Sequence, residues 1–277
     1  MRLFGKKPSD EMPNLGIDPD QFFAEIRREF DLLRQANFTG ADVDNLCSAS
    51  ALERFRASVD SLSGREAWSS KDLASALLCC STTGKFPNRT PDRIELGVIK
   101  ERLDHLNELS QRRPVEHGFV GFVVPEICTV RFKTDATVGT PNRIVLNYGD
   151  MPRGLNSGNA FGAFALHSHP PKSPHGLHFS PQDFVALLAS NRHFAEFLIH
   201  DGTALVSLKT SSARCISDRD ELRRSLESIL EDVTRAHRGN YGNTVRAFTK
   251  QVAIEFGLSL YRTTSQNPGI ARKILLG

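Results

Sequence analysis

The chain has 277 residues, of which 39% are hydrophobic and 24% charged, and its formal net charge is +3. This composition is that of an ordinary globular protein with enough apolar side chains for a core. The charge is too small to indicate nucleic acid or a membrane surface as a partner. Neither a secretory leader nor a stretch of about 20 apolar residues is present, and we therefore expect a cytoplasmic protein.

The first part of the chain has the periodicity of helices. A helix is predicted over 18–37, where four apolar side chains share one face: Phe22, Ile26, Phe30 and Leu33. A weaker helical pattern covers 41–62. A third helix begins at Ser69 or Ser70, and a fourth begins with Thr90 as its cap. The sequence thus predicts an N-terminal helical region over residues 1–112.

Strand patterns begin after residue 112. Residues 116–124 form an apolar run with glycines, which indicates a buried strand, and ICTVRFK is its predicted hairpin partner. RIVLNYG and AFALHSH are read as two further strands. EFLIHDGTALVSLK is read as a hairpin that turns at Asp201 and Gly202.

The remaining elements are mostly helical. SPQDFVALLAS predicts a helix with Ser180 at its cap, two more helical patterns follow residue 213, and GLSLYR is read as a last short strand. We therefore expect an α/β (α+β) fold in which helices flank a mixed sheet. The predicted division is an N-terminal region (1–112), a core (113–212) and a C-terminal helical extension (213–277).

Five cysteines are present, an odd number without CxxC spacing. A disulfide framework or a cysteine-based metal site is not expected, and free buried thiols are the simpler interpretation.

The chemistry of the chain is concentrated in FALHSHPPKSPHGLHFSPQD, residues 164–183. His167 and His169 stand two positions apart at the end of a predicted strand, so their side chains point to the same face. Asp183 falls in the first turn of the next helix, where the helix dipole favours the ionised form. Two imidazoles and one carboxylate make an open zinc site with room for water.

Two further residues have chemical roles in this interpretation. Glu116 precedes an apolar strand and can act as the base for the water that zinc activates. Ser180 can donate a hydrogen bond to the oxyanion of a tetrahedral intermediate, although Ser180 and Asp183 also have the spacing of a simple capping pair. His175 and His178 are interpreted as loop residues that can face a substrate.

The order Glu, HSHP (167–170) and SPQD (180–183) resembles the JAMM zinc metalloproteases, also called the MPN+ or JAB family. The resemblance covers roughly residues 113–210 and implies the family's mixed-sheet, cytidine-deaminase-like fold. It implies zinc held by His167, His169 and Asp183. It also implies Glu116 as general base and Ser180 as oxyanion stabiliser. Glu126, in VVPEICT, is a second candidate for the base.

The resemblance further implies a hydrolase that cleaves an amide bond in a protein or peptide, with the tail of a ubiquitin-like protein among the candidates. A smaller amino-acid conjugate is another candidate substrate. The alternative to an enzyme is a non-catalytic MPN-type scaffold that only binds other proteins. Oligomeric state and natural substrate are not predicted by any feature of the sequence.

Overall fold

The computed structural model describes residues 46–237 and 240–276. The predicted helix over 18–37 lies outside these ranges. Six helices are described: α1 (Ala49–Leu62), α2 (Ser70–Thr83), α3 (Val98–Arg112), α4 (Pro181–Leu188), α5 (Arg219–His237) and α6 (Tyr241–Glu255). Ten strands are described: β1 (Ala67–Trp68), β2 (Arg93–Glu95), β3 (His117–Val124), β4 (Thr129–Phe132), β5 (Thr137–Val138), β6 (Phe161–Ser168), β7 (Ala195–His200), β8 (Thr203–Lys209), β9 (Leu258–Thr264) and β10 (Asn267–Lys273).

All ten strands belong to one mixed sheet with the order β1-β2-β10-β9-β8-β7-β6-β3-β4, and β5 pairs with the beginning of β3. The pairs β1–β2 and β6–β7 are parallel, and the other pairs are antiparallel. The architecture is therefore mixed α/β, as the sequence predicted at this level. Since β2 pairs with β10, one sheet contains strands from both ends of the described chain.

The two faces of the sheet have separate hydrophobic cores. On one face, Phe164 and Leu166 of β6 and Phe197 of β7 belong to a cluster with the buried residues of α1, α2 and α3. On the other face, Leu198 of β7 and Leu205 of β8 belong to a cluster with α4, α5 and α6. We call these the N-helix face and the C-helix face. Because side chains alternate along a strand, His167 projects from the C-helix face.

A β-bulge interrupts this alternation in β6. Gly121 pairs with Phe164 and Phe122 with Gly162, which leaves Ala163 as the extra residue. Phe161 before the bulge, Ala163 in it and Phe164 after it all belong to the core of the N-helix face. The bulge therefore shifts the alternation by one position.

Several predicted elements are confirmed. Helix α2 begins after Ser69, which forms a capping box with Asp72. Helix α4 begins after Ser180, β3 forms a hairpin with β4, and β9 begins at Leu258 of GLSLYR. The β7–β8 hairpin turns at Asp201 and Gly202, which both have positive φ as its two-residue turn requires.

The prediction of a helix capped by Thr90 is wrong. The buried Ile94 lies between exposed Arg93 and Glu95 in β2, and α3 begins only after Gly97, at φ +52°. The Thr90 hydroxyl instead donates to Oγ of Ser259 in the protein interior. A short alternating strand therefore replaces the first turn of the predicted helix, and the N-terminal region is not wholly helical.

Two strand predictions also need correction. RIVLNYG forms no strand: within the described residues it contributes only a bridge between Thr140 and Arg143, and Val145 is half exposed. Strand β10 was not predicted, because Asn, Pro and Gly at its beginning are typical of a turn. The division into segments 1–112, 113–212 and 213–277 stays a prediction.

All five cysteines are free thiols. Cys79 and Cys80 are buried as predicted, whereas Cys128 is exposed. Among the described residues, each helix is too short or too polar to cross a bilayer.

Candidate metal centre

Two adjacent elements bring the three predicted ligands together. His167 is the last residue but one of β6. His169 lies just beyond the strand, and its backbone N–H donates to the Ile199 carbonyl at 3.0 Å, which continues the β6–β7 pairing. Asp183 lies in the first turn of α4. One ligand atom of each of the three residues lies within 4.8 Å of the other two, and both imidazoles are buried. This group could therefore hold a metal ion.

Both imidazoles are anchored through the same ring nitrogen. Nδ1 of His169 donates to the Gly176 carbonyl at 2.7 Å, and Nδ1 of His167 lies 3.3 Å from Oε1 of Glu196. The Nε2 atoms face carboxylates, Asp183 in the case of His167 and Glu116 in the case of His169. Metal-binding imidazoles commonly have this arrangement, in which an acceptor on one nitrogen leaves the other nitrogen for the metal.

The two carboxylate oxygens of Asp183 have different neighbours. Oδ2 accepts a hydrogen bond from the Ser180 backbone N–H at 2.7 Å, and Oδ1 lies 3.5 Å from Nε2 of His167. Two atoms bound to one tetrahedral zinc ion lie roughly 3.4 Å apart, which this distance matches. Nε2 of His167 is buried without a hydrogen bond. The donor set therefore fits a small divalent ion.

The protonation of the ligands depends on burial and on their neighbours. Burial lowers the pKa of His169 well below its usual value, and the nearby His167 and His175 lower it further. Burial also disfavours the charged form of His167, but Asp183 and Glu196 outweigh it and raise its pKa well above the usual value. Despite burial, His167 lowers the pKa of Asp183. His169 is therefore neutral, whereas a proton competes with a metal at His167.

Glu116 is buried beside the ligands. Its Oε1 lies 3.9 Å from Nε2 of His169, and its side chain is 5% exposed. The backbone of Glu116 donates to Thr140 and accepts from Gly139, which fixes the beginning of β3. Glu126 is exposed in the turn beyond the other end of β3, roughly 25 Å away along an extended strand. Of the two predicted candidates for the base, only Glu116 lies at the site.

Ser180 is the N-cap of α4. Its hydroxyl accepts from the Asp183 backbone N–H at 3.4 Å, in a capping box with the Asp183 carboxylate. The capping interpretation is thus correct, and the oxyanion role stays a prediction. The hydroxyl hydrogen is not used in accepting this bond and can still be donated.

The loop 171–179 forms one side of the site. His175 is buried, its ring centroid lies 5.7 Å from that of His169, and its Nδ1 lies 3.2 Å from the Tyr241 hydroxyl. Burial lowers the pKa of His175 to about 4. For His178, burial and the charges of Arg246 and Arg262 lower the pKa to about 3. Both loop histidines are therefore neutral near pH 7.

The sequence did not indicate Glu196, a buried carboxylate of β7 that contacts His167. Nε2 of His193 lies 3.1 Å from Oε2 of Glu196. The rings of Tyr148 and His193 pack edge to face, with centroids 5.2 Å apart. The only available signal was an acidic residue within the apolar run AEFLI.

Comparison of the chain with models of protein families, with curated proteins and with solved structures found no match. The function is therefore argued from the residues of the site and from the motif.

Proposed function

We propose that this protein is a zinc-dependent hydrolase of the JAMM type that cleaves an amide bond. The observation that carries the proposal is the orientation of two buried imidazoles. Their Nδ1 atoms are occupied by Glu196 and the Gly176 carbonyl, while their Nε2 atoms face Asp183 and Glu116. The order of the motif in the sequence supports the same assignment.

Zinc is the ion that suits this donor set. Two imidazole nitrogens and one carboxylate oxygen are typical of catalytic zinc sites that keep one position for water, whereas magnesium and calcium prefer oxygen ligands. When bound by His167, His169 and Asp183, zinc would supply Lewis acidity that lowers the pKa of water.

Glu116 is the proposed general base. It accepts the proton of the attacking water and returns it to the leaving amine as the C–N bond breaks. Its burial and its position 3.9 Å from Nε2 of His169 support this role, because a base must lie within reach of the water that it deprotonates.

Ser180 is the proposed donor to the developing oxyanion. The capping box fixes its side chain at the beginning of α4, next to Asp183. A fixed hydroxyl needs little reorganisation when the carbonyl oxygen becomes negative, which is the condition for electrostatic stabilisation of the transition state.

The proposed substrates are peptides or the amide-linked tail of a ubiquitin-like protein. This substrate class comes from the motif alone, and a small amino-acid conjugate is the second candidate. A ubiquitin-like substrate predicts a requirement for a folded partner, whereas a general amidase predicts turnover of short peptides.

Metal content is the first test. Purified wild-type protein should contain about one zinc per chain, and the double variant His167→Ala/His169→Ala should contain none. If the wild type contains no metal and takes none up when zinc is added, the hydrolase proposal is wrong, and a non-catalytic binding scaffold becomes the better interpretation.

Activity is the second test. Two probes are suitable: a ubiquitin-like protein whose C-terminal glycine forms an amide with a fluorogenic aminocoumarin, and a short peptide with the same amide. We expect Glu116→Gln to keep its zinc and to lose turnover by at least about 100-fold, in line with the loss of a general base. Glu126→Gln is the matched control and should keep wild-type activity. Near-normal turnover by Glu116→Gln would remove Glu116 from the mechanism.

A further inference from the structure

Glu196 is a carboxylate in the interior of the sheet, directly behind the candidate metal centre. It is 3% exposed and lies on β7, where it pairs in register with Ala165, two residues before His167 on β6. Paired residues of neighbouring strands share a face, so Glu196 and His167 both project from the C-helix face. Burial of a charge here is costly unless it has partners.

The partners of Glu196 are two imidazoles. Oε1 lies 3.3 Å from Nδ1 of His167, and Oε2 lies 3.1 Å from Nε2 of His193. Nε2 of His193 also lies 3.0 Å from the Ala195 carbonyl, which can only accept, so Nε2 carries the proton. His193 therefore donates towards Glu196 and holds that carboxylate in place, while the other oxygen remains for His167.

We propose that Glu196 is a positioning residue for the metal: it accepts the Nδ1 proton of His167 and thereby directs the Nε2 lone pair to the ion. The proposal rests on the metal site of the proposed function and adds a residue to it. An imidazole that donates from Nδ1 to a carboxylate has a fixed tautomer and a fixed ring plane, and its other nitrogen is a stronger base.

The two ligand histidines differ in the acceptor behind them. His169 donates to the neutral carbonyl of Gly176, whereas His167 faces a carboxylate. A carboxylate accepts a stronger hydrogen bond than a carbonyl. His167 should therefore contribute more to zinc affinity than His169 does, and this difference should disappear when Glu196 is replaced.

Zinc affinity is the readout of the test, measured by competition with a chelator at fixed pH. Glu196→Ala should weaken zinc binding by roughly 10- to 100-fold, as for other carboxylates behind a ligand histidine. Glu196→Gln keeps an acceptor oxygen and should lie between the wild type and Glu196→Ala. Ser207→Ala is the matched control, because Ser207 pairs with Glu196 across β7–β8 and its buried hydroxyl makes no hydrogen bond.

The outcomes separate this inference from the proposed function. Zinc binding by the wild type with equal binding by Glu196→Ala overturns the role of Glu196 alone. No zinc binding by the wild type overturns both. Weaker binding by Glu196→Ala, with no hydrolysis by any variant, supports the positioning role and counts against the hydrolase.

A second measurement covers the case in which Glu196→Ala does not fold. In ¹⁵N-labelled wild-type protein with zinc, two-dimensional NMR of the imidazole rings should find the proton of His167 on Nδ1 and the metal on Nε2. A proton on Nε2 would overturn the proposal. If Glu196 has only a structural role, Glu196→Gln should be less stable than the wild type but should bind zinc with the same affinity. The test distinguishes the two roles because stability and zinc affinity are measured separately.

Discussion

Asp183 has two tasks, and one substitution should separate them. Oδ2 accepts the Ser180 backbone N–H at the beginning of α4, while Oδ1 faces Nε2 of His167. Asp183→Asn keeps a side-chain oxygen that can accept the hydrogen bond from the Ser180 backbone N–H. It removes the negative charge that a metal ligand supplies. We therefore expect the cap to persist in the apo protein, whose stability falls mainly because the attraction between Asp183 and the protonated His167 is lost.

The additional stability that zinc provides should also fall. Zinc at 1,000 times its dissociation constant stabilises the wild-type fold by about 4 kcal/mol. If the loss of one of three ligands weakens binding by about 100-fold, the same zinc concentration is only about ten times the new constant, and the stabilisation falls to about 1.4 kcal/mol. The difference of roughly 2.7 kcal/mol is well within the resolution of a urea titration.

The assay is urea unfolding of wild type, Asp183→Asn and Ser180→Ala with a chelator and with buffered free zinc. Ser180→Ala removes the capping hydroxyl but no ligand, so it should lose about 1 kcal/mol in both conditions and keep its zinc-dependent increment. A full zinc increment in Asp183→Asn would show that Asp183 is not a ligand. An equal loss in both variants would show that the increment depends on the cap of α4.

Three further outcomes concern protonation and packing. Because the pKa of His167 is raised well above its usual value, zinc binding at pH 7 should release about one proton from His167, and zinc affinity should rise with pH. Calorimetry in buffers of different ionisation enthalpy measures this release. If no proton is released, His167 is not a ligand. Burial lowers the pKa of Lys209 from 10.5 to about 8, so at this position the unfolded chain binds more protons between these values, and Lys209 should contribute a rise of roughly 3 kcal/mol to wild-type stability from pH 8 to pH 10.5. Urea unfolding should find this rise missing in Lys209→Met; the same pH slope in both proteins would contradict the assignment. Gly121→Ala would place a Cβ 2.1 Å from the Phe164 ring in the packed core, and it should lower the free energy of unfolding by about 3 kcal/mol or more in the same assay. Gly269→Ala is the control, because the space around Gly269 is open, and it should lower this free energy by less than about 1 kcal/mol. Equal losses in the two variants would refute the steric argument.

Local signals allowed much of the fold to be predicted. Ser69 and Ser180 precede helices because their side chains satisfy the first backbone N–H groups, and Asp201-Gly202 turns a hairpin because both positions need positive φ. The three proposed ligands are close in sequence, so strand alternation and the next helix start were enough to predict their proximity.

Features that depend on tertiary pairing could not be predicted in this way. Ile94 looks like part of a helix until β10 provides a neighbour for β2. Glu196 looks like an isolated charge in an apolar strand, because its partner His167 lies on β6 and becomes its neighbour only through the parallel register of β6 and β7. The sequence pattern indicated the three proposed ligands but not the carboxylate behind them.

The bulge at Ala163 has a consequence for any attempt to move this site to another protein. Before the bulge, Phe161 faces α1–α3; after it, Phe164 does, and only this change of phase puts His167 on the opposite face. A recipient sheet given the sequence of β6 as a regular strand without the bulge would put the residues equivalent to Phe161 and His167 on the same face. The segment to be transferred therefore has to include β6 with its bulge at Ala163, although Ala163 itself is not one of the proposed ligands.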